Sequence, residues 1–488
     1  MTDTDNPRKP LTLKKPASGP AGGDADGRRK RSGGRARQVA QLERSREKQR
    51  TLRELQAAVS PQPTPEPPPP RREPPATHAA KPQPPAQAPA GGQAQRRTRT
   101  RQAPRAMQAE IFPVFSPCPQ GLEEPLAAEL RALGFDGVEA ARAGCHFQAD
   151  WTGIQRANLY SRLATRILVE VAHGPVDHED DILDLAYHTP WERWFGAEQT
   201  LRVDTSAIRS PMQSLQYCNL RAKDGICDRL RELEGSRPDI DTVRPDARVH
   251  LFLNEDSATL YLDTSGESLF KRGWRLDKGS APIRENLAAG LLALSGWDPG
   301  APLLDPFCGS GTILIEAAWI ALGVPPGIWR PFSFERLRDH DARHWRDLKD
   351  EARTHIAPQL EVPLVGHDLD PQAIDAAKLN AERAWLTPDS IRFESGDARH
   401  VAPPAPSGWV VTNPPYGERM HGDDMGLWRE WAQNLKKNYS GWRINVISSD
   451  LDLPQMMRLK PRRRHPLYNG ALDCRLFSFE MVAAGYRQ

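Results

Sequence analysis

The sequence predicts an α/β fold with a doubly wound parallel sheet, preceded by an α+β region and a disordered basic tail. Three observations lead to this prediction. Strand and helix patterns alternate from about residue 280 onward, which is typical of parallel sheets. Short elements of mixed type fill the stretch before it. The first 106 residues contain no Phe, Trp, Tyr or Cys.

Residues 1–106 form the basic, proline-rich tail. They hold 23 Lys and Arg against 9 Asp and Glu, a net charge of +14, whereas residues 107–488 carry −11. We expect disorder because such a composition cannot bury enough apolar area to offset the entropy of ordering. The tail is either a solubilising extension or an anchor on RNA phosphates, and the sequence favours neither.

The α+β region is predicted to span residues 107–265. Strand patterns lie at 111–115, 145–149, 166–171, 200–205, 248–254 and 257–263, and helix patterns at 121–133, 153–163 and 216–233. No group of residues in this region resembles a catalytic site, and its histidines are interpreted as ordinary surface or hydrogen-bonded residues.

The α/β region is predicted to span residues 266–488. Strand patterns lie at 303–305, 363–367, 391–393, 409–412, 444–448, 467–469 and 474–481, and helices at 282–295 and 312–322. A third helix is expected to begin at Pro371, with Asp370 as its N-cap. Ligands of such sheets bind beyond the carboxyl ends of the strands, so candidate residues are sought there.

A glycine-rich turn follows the first of these strands. Asp305 ends the strand, and Gly309 and Gly311 allow a tight turn and the close approach of a ligand. The helix that begins near Thr312 offers free backbone amides and the positive end of its dipole. Cys308 is interpreted as a packed thiol rather than a nucleophile, because no histidine lies near it in sequence.

Two further acidic residues follow later strands. Asp368 ends the second strand, where a carboxylate can accept hydrogen bonds from a ribose diol. Asp397 follows the third strand and can accept from an adenine amino group, although a plain turn residue is the alternative. Together with the glycine turn, these residues predict a nucleotide-like cofactor.

The motif Asn413-Pro414-Pro415-Tyr416 follows the fourth strand. The Asn413 side-chain oxygen and the Pro414 carbonyl can each accept one N–H of an exocyclic amine. Two consecutive prolines hold these acceptors rigidly, and Tyr416 can stack on a base that has left its helix. The arrangement predicts methyl transfer to a base nitrogen, and a stiff turn is the structural alternative.

Composition excludes several classes of protein. The six cysteines form no CxxC pair and no metal-ligand spacing with histidines, so we expect no metal and a reducing compartment. No apolar run reaches the roughly 18–20 residues that a membrane span needs, and the N-terminus has no signal-peptide core. We therefore expect a cytoplasmic protein without a membrane partner.

These residues resemble the class I S-adenosylmethionine-dependent methyltransferases that modify amino groups. Residues 273–275 and 281–289, with 160–167 and 469–474, further resemble THUMP-domain RNA methyltransferases, and among them the bacterial 23S rRNA guanine-N2 methyltransferase family. The resemblance covers about 110–485. It implies a ferredoxin-like lead-in and a THUMP RNA-binding domain, then a Rossmann-like methyltransferase domain. S-adenosylmethionine is the implied cofactor, and 23S rRNA or a large-subunit precursor the implied partner.

The resemblance also assigns roles to residues. The cofactor-binding set it implies is Asp305, Cys308, Gly309 and Gly311 along the turn, Asp368 at the ribose, Asp397 near adenine, and Asn286 in the cofactor-methionine motif. The residues implied to hold the target amine are Asn413, Pro414, Pro415 and Tyr416.

Several alternatives stay open. The Asn-Pro-Pro-Tyr motif also occurs in DNA adenine-N6 methylases, although no DNA-recognition domain is evident in the sequence. A tRNA guanine-N2 methyltransferase with the same domains and a catalytically inactive RNA-binding assembly factor are the others. The basic tail departs from the family pattern. Some members carry a second methyltransferase domain that makes guanine-N7, and we expect this domain to be absent here.

Overall fold

Two seven-stranded sheets organise the part of the chain that the computed structural model describes, which is residues 110–277, 283–338, 340–415 and 424–482. The expectations for the tail and for Tyr416 lie outside these residues. The first sheet is built before residue 264 and the second after residue 302. All described residues, and therefore both sheets, belong to one structural unit.

The first sheet mixes strand directions. Its strands are β1 (Phe112–Pro117), β2 (Asp136–Ala141), β3 (Gly144–Ala149), β4 (Leu168–Pro175), β5 (Leu201–Ala207), β6 (Ala247–Leu253) and β7 (Ser257–Asp263). Their order is β2-β3-β1-β4-β7-β6-β5. Only β5 and β6 pair in parallel, and the other described neighbours are antiparallel. The β4–β7 pairing joins an N-terminal half and a C-terminal half into one sheet.

Four helices pack on the first sheet. They are α1 (Glu123–Ala132), α2 (Trp151–Tyr160), α3 (Glu179–His188) and α4 (Leu215–Glu234). Helix α2 begins where the Asp150 carboxylate accepts a hydrogen bond from the Gly153 amide at 2.6 Å. Helix α4 ends at Gly235, whose φ of +80° suits glycine at a helix end. Buried apolar side chains on one face of each helix hold it on the sheet.

The second sheet is doubly wound, as the sequence predicts. Its strands are β8 (Leu303–Asp305), β9 (Leu364–Asp368), β10 (Arg392–Ser395), β11 (Gly408–Thr412), β12 (Trp442–Ser448), β13 (Arg463–Asn469) and β14 (Leu472–Glu480). Their order is β10-β9-β8-β11-β12-β14-β13. The first five strands in this order run parallel, and β14 and β13 close the sheet as an antiparallel pair.

Six helices lie among the described residues of the second half of the chain. They are α5 (Glu285–Ser295), α6 (Thr312–Ala321), α7 (Ala342–Thr354), α8 (Pro371–Arg383), α9 (Asp424–Asn438) and the short α10 (Leu453–Met456). Helix α6 is buried along most of its length, which fits its uniformly apolar sequence. No helix among the described residues is both long and apolar enough to cross a membrane.

The two sheets meet at a buried polar junction. The Arg272 guanidinium is 3% exposed, donates to Glu316 on α6 at 3.1 Å, and donates to the Leu269 and Arg162 carbonyls. Arg330 donates to the carbonyls of residues 265, 267 and 268 just after β7. The Ser333 hydroxyl donates to the Asp263 carbonyl at 2.6 Å. The junction is therefore a hydrogen-bonded interior rather than a loose linker.

Candidate active site

The strand order of the second sheet reverses beside β8. The chain runs outward from β8 to β9 and β10, then returns to the other side of β8 as β11. Ligands of open α/β sheets bind at such a switch point, beyond the carboxyl ends of the strands. A cavity of about 580 Å³ opens there, where Asp305 ends β8 and Asn413 follows β11.

The cavity brings the two sequence motifs together across about a hundred residues of chain. The predicted residues in its wall are Asp305, Cys308, Gly309, Asp368, Asp397, Asn413 and Pro415. Three other predicted residues, Gly311, Pro414 and Asn286, are not part of that wall. Tyr416 lies outside the described residues.

Two hydrogen bonds to the end of β9 hold the glycine turn in place. The Cys308 amide donates to the His367 carbonyl at 2.9 Å, and the Gly309 amide donates to the Asp368 carboxylate at 2.9 Å. Gly309 has a φ of +51°, and a Cβ placed on it meets no atom within 4 Å, because it faces the cavity. A Cβ on Gly311, whose φ is +80°, lies 3.1 Å from Ala377. Gly309 therefore leaves room for a ligand, whereas Gly311 lets α6 pack closely.

Asp305 connects the glycine turn to the motif after β11. It is 1% exposed and accepts hydrogen bonds from the Thr412 hydroxyl at 2.6 Å and the Phe307 amide at 3.2 Å. Burial raises the pKa of Asp305 to about 7, against the lowering effect of the Thr412 hydrogen bond. The carboxyl group thus fixes the relative position of the two strand ends.

Asp370 caps a helix, as the sequence predicts, and Asp368 lies in the cavity wall. The Asp370 carboxylate accepts from the Gln372 amide at 2.9 Å and caps α8, with Pro371 as its first residue. The Asp368 carboxylate accepts from the Gly309 and Asp370 amides, one on each oxygen. Each oxygen keeps a second lone pair for a hydroxyl group in the cavity.

Asp397 is held by an arginine that sequence reasoning missed. Arg399 donates to both Asp397 oxygens, at distances between 2.6 and 3.0 Å, and its other arm donates to Glu430 on α9. The Arg399 hydrogen bonds hold the pKa of Asp397 below its usual value. A charged Asp397 oriented this way faces the cavity as a hydrogen-bond acceptor.

The end of β11 is built for rigidity. Thr412 and Pro414 are buried, whereas Asn413 and Pro415 are half-buried at the cavity wall. Phe307 also lines the cavity, and its ring packs edge-on against Trp431 of α9 at 5.2 Å. Asn413 therefore stands between a fixed strand end and a stiff proline pair.

Two other predicted residues have mainly structural surroundings. Burial raises the pKa of the Cys308 thiol well above its usual value, so this thiol is not an activated nucleophile. Asn286 on α5 is fully buried, and its amide nitrogen lies 3.3 Å from the Leu163 carbonyl and 3.3 Å from the Thr165 hydroxyl. It contacts the first half of the chain rather than the cavity.

Other lining residues were not expected from the sequence. They include Asp277, Leu369, Gln372, Arg399 and Leu427. Asp277 is placed by α8, since Arg383 donates to its carboxylate at 2.6 Å and Asn380 to its carbonyl at 3.1 Å. Asp277 lies between segments 273–275 and 281–289, whose resemblance to the family could have pointed to it. Among the described residues, five aspartates and one arginine line the cavity, which suits a hydroxyl-rich or cationic ligand.

Comparisons with known families divide the chain in the same way as its sheets. Residues 113–168 match the RlmL ferredoxin-like domain, residues 176–263 the THUMP domain, and residues 272–478 the RMKL-like methyltransferase domain. The first two matches cover the two halves of the first sheet. The third covers the second sheet and the cavity.

Curated proteins of similar sequence are known. The chain is 40% identical over 381 residues to the ribosomal RNA large subunit methyltransferase K/L of Syntrophotalea carbinolica, covering 75% of this chain and 53% of that protein. The chain thus spans about half the length of the curated relatives it matches.

Two crystal structures share this architecture. A possible methylase from Clostridium difficile 630 is 32% identical with a TM-score of 0.71, covering 76% of this chain and 98% of that one. SMU.472, a putative methyltransferase complexed with SAH, is 27% identical with a TM-score of 0.71, covering 77% and 99%.

Proposed function

The chain belongs to the THUMP-domain methyltransferases with an RMKL-like catalytic domain, and we propose that it methylates the N2 amine of a guanine in 23S ribosomal RNA. It is an S-adenosylmethionine-dependent enzyme. One observation carries the proposal. The glycine turn and the Asn413 motif meet in one cavity, joined by the hydrogen bond from Thr412 to Asp305.

The residues of the cavity fit S-adenosylmethionine. Gly309 offers a space that a Cβ would fill, and Asp368 keeps free lone pairs for a ribose diol. Asp397, charged and oriented by Arg399, suits an adenine amino group. The several aspartates favour a cationic sulfonium over an anionic cofactor. When bound, S-adenosylmethionine supplies an electrophilic methyl group.

Asn413 and Pro414 are proposed to hold the target amine. The Asn413 side-chain oxygen accepts one N–H, and the Pro414 backbone carbonyl accepts the other. These two bonds draw the nitrogen lone pair out of conjugation with the ring and aim it into the cavity. Rigid acceptors need no reorganisation during the reaction, so their contribution to the rate is large. Tyr416 is proposed to stack on the base.

The choice of RNA over DNA rests on the first sheet. Residues 176–263 match the THUMP domain, and the curated relative is named for ribosomal RNA of the large subunit. We propose that this half of the molecule binds 23S rRNA or a large-subunit precursor and that the enzyme works in the cytoplasm. Six buried free cysteines among the described residues suit a reducing compartment. The assignment to guanine N2 follows the family resemblance.

Mass spectrometry of modified nucleosides tests the proposal directly. Ribosomal RNA, transfer RNA and genomic DNA are isolated from a strain that lacks the gene, and from that strain carrying the wild-type or the Asn413→Ala protein. We expect N2-methylguanosine to fall in 23S rRNA without the gene and to return with the wild type only. A loss confined to tRNA, or a loss of N6-methyladenine from DNA, would replace the proposed substrate. Unchanged modification in all three would favour an inactive assembly factor.

A further inference from the structure

A second cavity, of about 380 Å³, lies on the second sheet near the amino-terminal end of β12. Three arginines, Arg443, Arg462 and Arg463, line it together with Asn445, Ser478, Glu480 and the carboxyl end of α5. Arg443 is the second residue of β12, which runs parallel to β11. Asn413 follows the carboxyl end of β11, so this cavity and the active site lie at opposite ends of the strands.

The described wall of this cavity has a net charge of +2, because three arginines stand against one acid, Glu480, which lies directly across from Arg443 on the neighbouring strand. Arg462 forms an ion pair with Glu480, the one acidic residue in the wall. Arg443 and Arg463 are exposed, and neither has an ion-pair partner among the described residues. The Arg443 guanidinium lies 4.8 Å from the ring centroid of Trp409, which limits its motion. The cavity wall therefore carries a net positive charge on a body whose net charge is negative.

The floor of the cavity is polar and ordered. Asn445 is 2% exposed and donates to the Val410 carbonyl at 3.3 Å. The Ser478 hydroxyl donates to the Asn445 side-chain oxygen at 2.7 Å. Because the hydrogen bonds fix these groups, the arginines project from a rigid base. A preformed site with two guanidinium groups suits a tetrahedral oxyanion.

Protection of a sheet edge explains only part of this arrangement. Strand β13 is the edge strand, and exposed arginines at its start discourage pairing with other chains. Arg443, however, lies on β12, two positions inward from that edge. Edge protection does not require an interior strand to contribute an arginine to the same cavity. Arginines from both β12 and β13 line one cavity, and this arrangement indicates a ligand.

We propose that this cavity binds a phosphate of the RNA backbone. The inference rests on the proposed RNA substrate and extends it to a contact remote from the methylated base. Arg443 pairs with Trp409, four residues before Asn413, which is about 13 Å along the strand at roughly 3.3 Å per residue. The contact positions the RNA and carries no sequence information, because phosphates are the same at every nucleotide.

Salt titration of RNA binding tests the proposal with the full-length protein. The variant is Arg443→Gln with Arg463→Gln, and the matched control is Arg343→Gln with Arg346→Gln, two exposed arginines on α7. One phosphate contact accounts for about 0.7 to 0.9 of the slope of log affinity against log salt. Between about 50 and 200 mM salt, wild-type affinity should fall roughly 2.6- to 3.5-fold more than that of the variant. The control should keep the wild-type slope.

Two further variants and probes separate the outcomes. Arg443→Lys with Arg463→Lys keeps the charges and should keep most of the slope, which a purely structural role of the arginines would not explain. Equal slopes for the Gln variant and the wild type would overturn the proposal. So would inorganic phosphate bound at the cavity without any effect of the Gln variant on RNA affinity, which would indicate a free-anion site. The slope does not depend on which base is methylated, so it can fail or succeed separately from the nucleoside analysis.

Discussion

A single buried carboxyl group, that of Asp305, holds the two motifs of the active site together. Its hydrogen bond from Thr412 joins β8 to β11, and its burial raises its pKa to about 7. A raised carboxyl pKa means that the folded protein binds this proton more tightly than the unfolded chain does. Asp305 therefore favours folding at acidic pH, and this contribution is lost as the pH rises through about 7.

Asp305→Asn should remove this pH dependence. Relative to the variant, the wild type should lose on the order of 4 kcal/mol of unfolding free energy between pH 4 and pH 8. The measurement is urea unfolding of both proteins at several pH values without cofactor. A difference between them that stays constant across this range would show that the Asp305 pKa is ordinary.

Gly309→Val should block the cofactor space. A valine at a φ of +51° is strained, and its side chain projects into the cavity, so S-adenosylmethionine affinity should fall at least about 100-fold. Calorimetry measures the affinity. Gly134→Val is the matched control, since Gly134 also has a positive φ and open space around it, but lies after α1 outside the cavity wall. The control should lose stability and keep cofactor affinity.

Asn413→Ala should slow the reaction without weakening the cofactor. Loss of one preorganised acceptor is expected to lower kcat on RNA by about 100- to 1000-fold. Calorimetry should show nearly wild-type affinity for S-adenosylmethionine. Near-normal turnover by this variant would remove Asn413 from the proposed role.

The individual site residues were predictable where a strand end or a glycine turn marks them. Asp305, Gly309, Asp368 and Asn413 follow that rule, and the structure brings them to one cavity. The pairing of Arg399 with Asp397 was not predictable, because a two-residue ion pair depends on the shape of the turn between them. The surroundings of Asn286 depend on contacts with residues over 120 positions earlier.

Most strands and helices followed from their sequence patterns, and the confirmed fold class rests on them. Strand β8 agrees with its predicted bounds, β13 begins four residues before its predicted start at 467, and the other second-sheet strands differ by a residue or two at their ends. Five labelled elements had no expectation: β2, α3, α7, α9 and the short α10. Strand β2 is an exposed edge strand without alternating apolar residues, and α7 buries only Trp345 and Ala352. Helix α9 does carry an apolar repeat, since Trp428, Trp431 and Leu435 recur at helical spacing and are buried, so its pattern was overlooked rather than absent.

The buried ion pair between Glu316 of α6 and Arg272, which follows the first sheet, leads to a prediction about stability. Glu316→Gln should lower the free energy of unfolding by about 3 kcal/mol, because it leaves the Arg272 charge buried without a counter-charge. Chemical denaturation measures the change. The control Glu267→Gln removes an exposed partner of Lys271 and should cost less than about 1 kcal/mol. Equal effects of the two changes would contradict a buried role for Glu316.

The charge of the whole chain is divided unevenly, with +14 in residues 1–106 and −11 in the remainder. If the tail contacts RNA phosphates, removing it should weaken RNA binding and flatten the dependence of log affinity on log salt. Base choice and cofactor affinity should survive, because the proposed catalytic residues lie after residue 280. Salt titrations of full-length and 107–488 protein measure this. Identical slopes would favour the solubilising interpretation of the tail.

The buried junction between the sheets also limits how this protein can be recombined. Exchanging the THUMP-containing half for that of a relative would place a foreign surface against Arg272, Glu316 and Arg330, each nearly inaccessible to solvent. A chimera cut near residue 265 would keep Arg272, Glu316 and Arg330 in one piece but would replace Arg162, whose guanidinium donates to the Trp319 carbonyl at 3.2 Å. We therefore expect the two halves to work only as a matched pair. Engineering that aims to redirect the enzyme should graft loops around the cavity rather than swap domains.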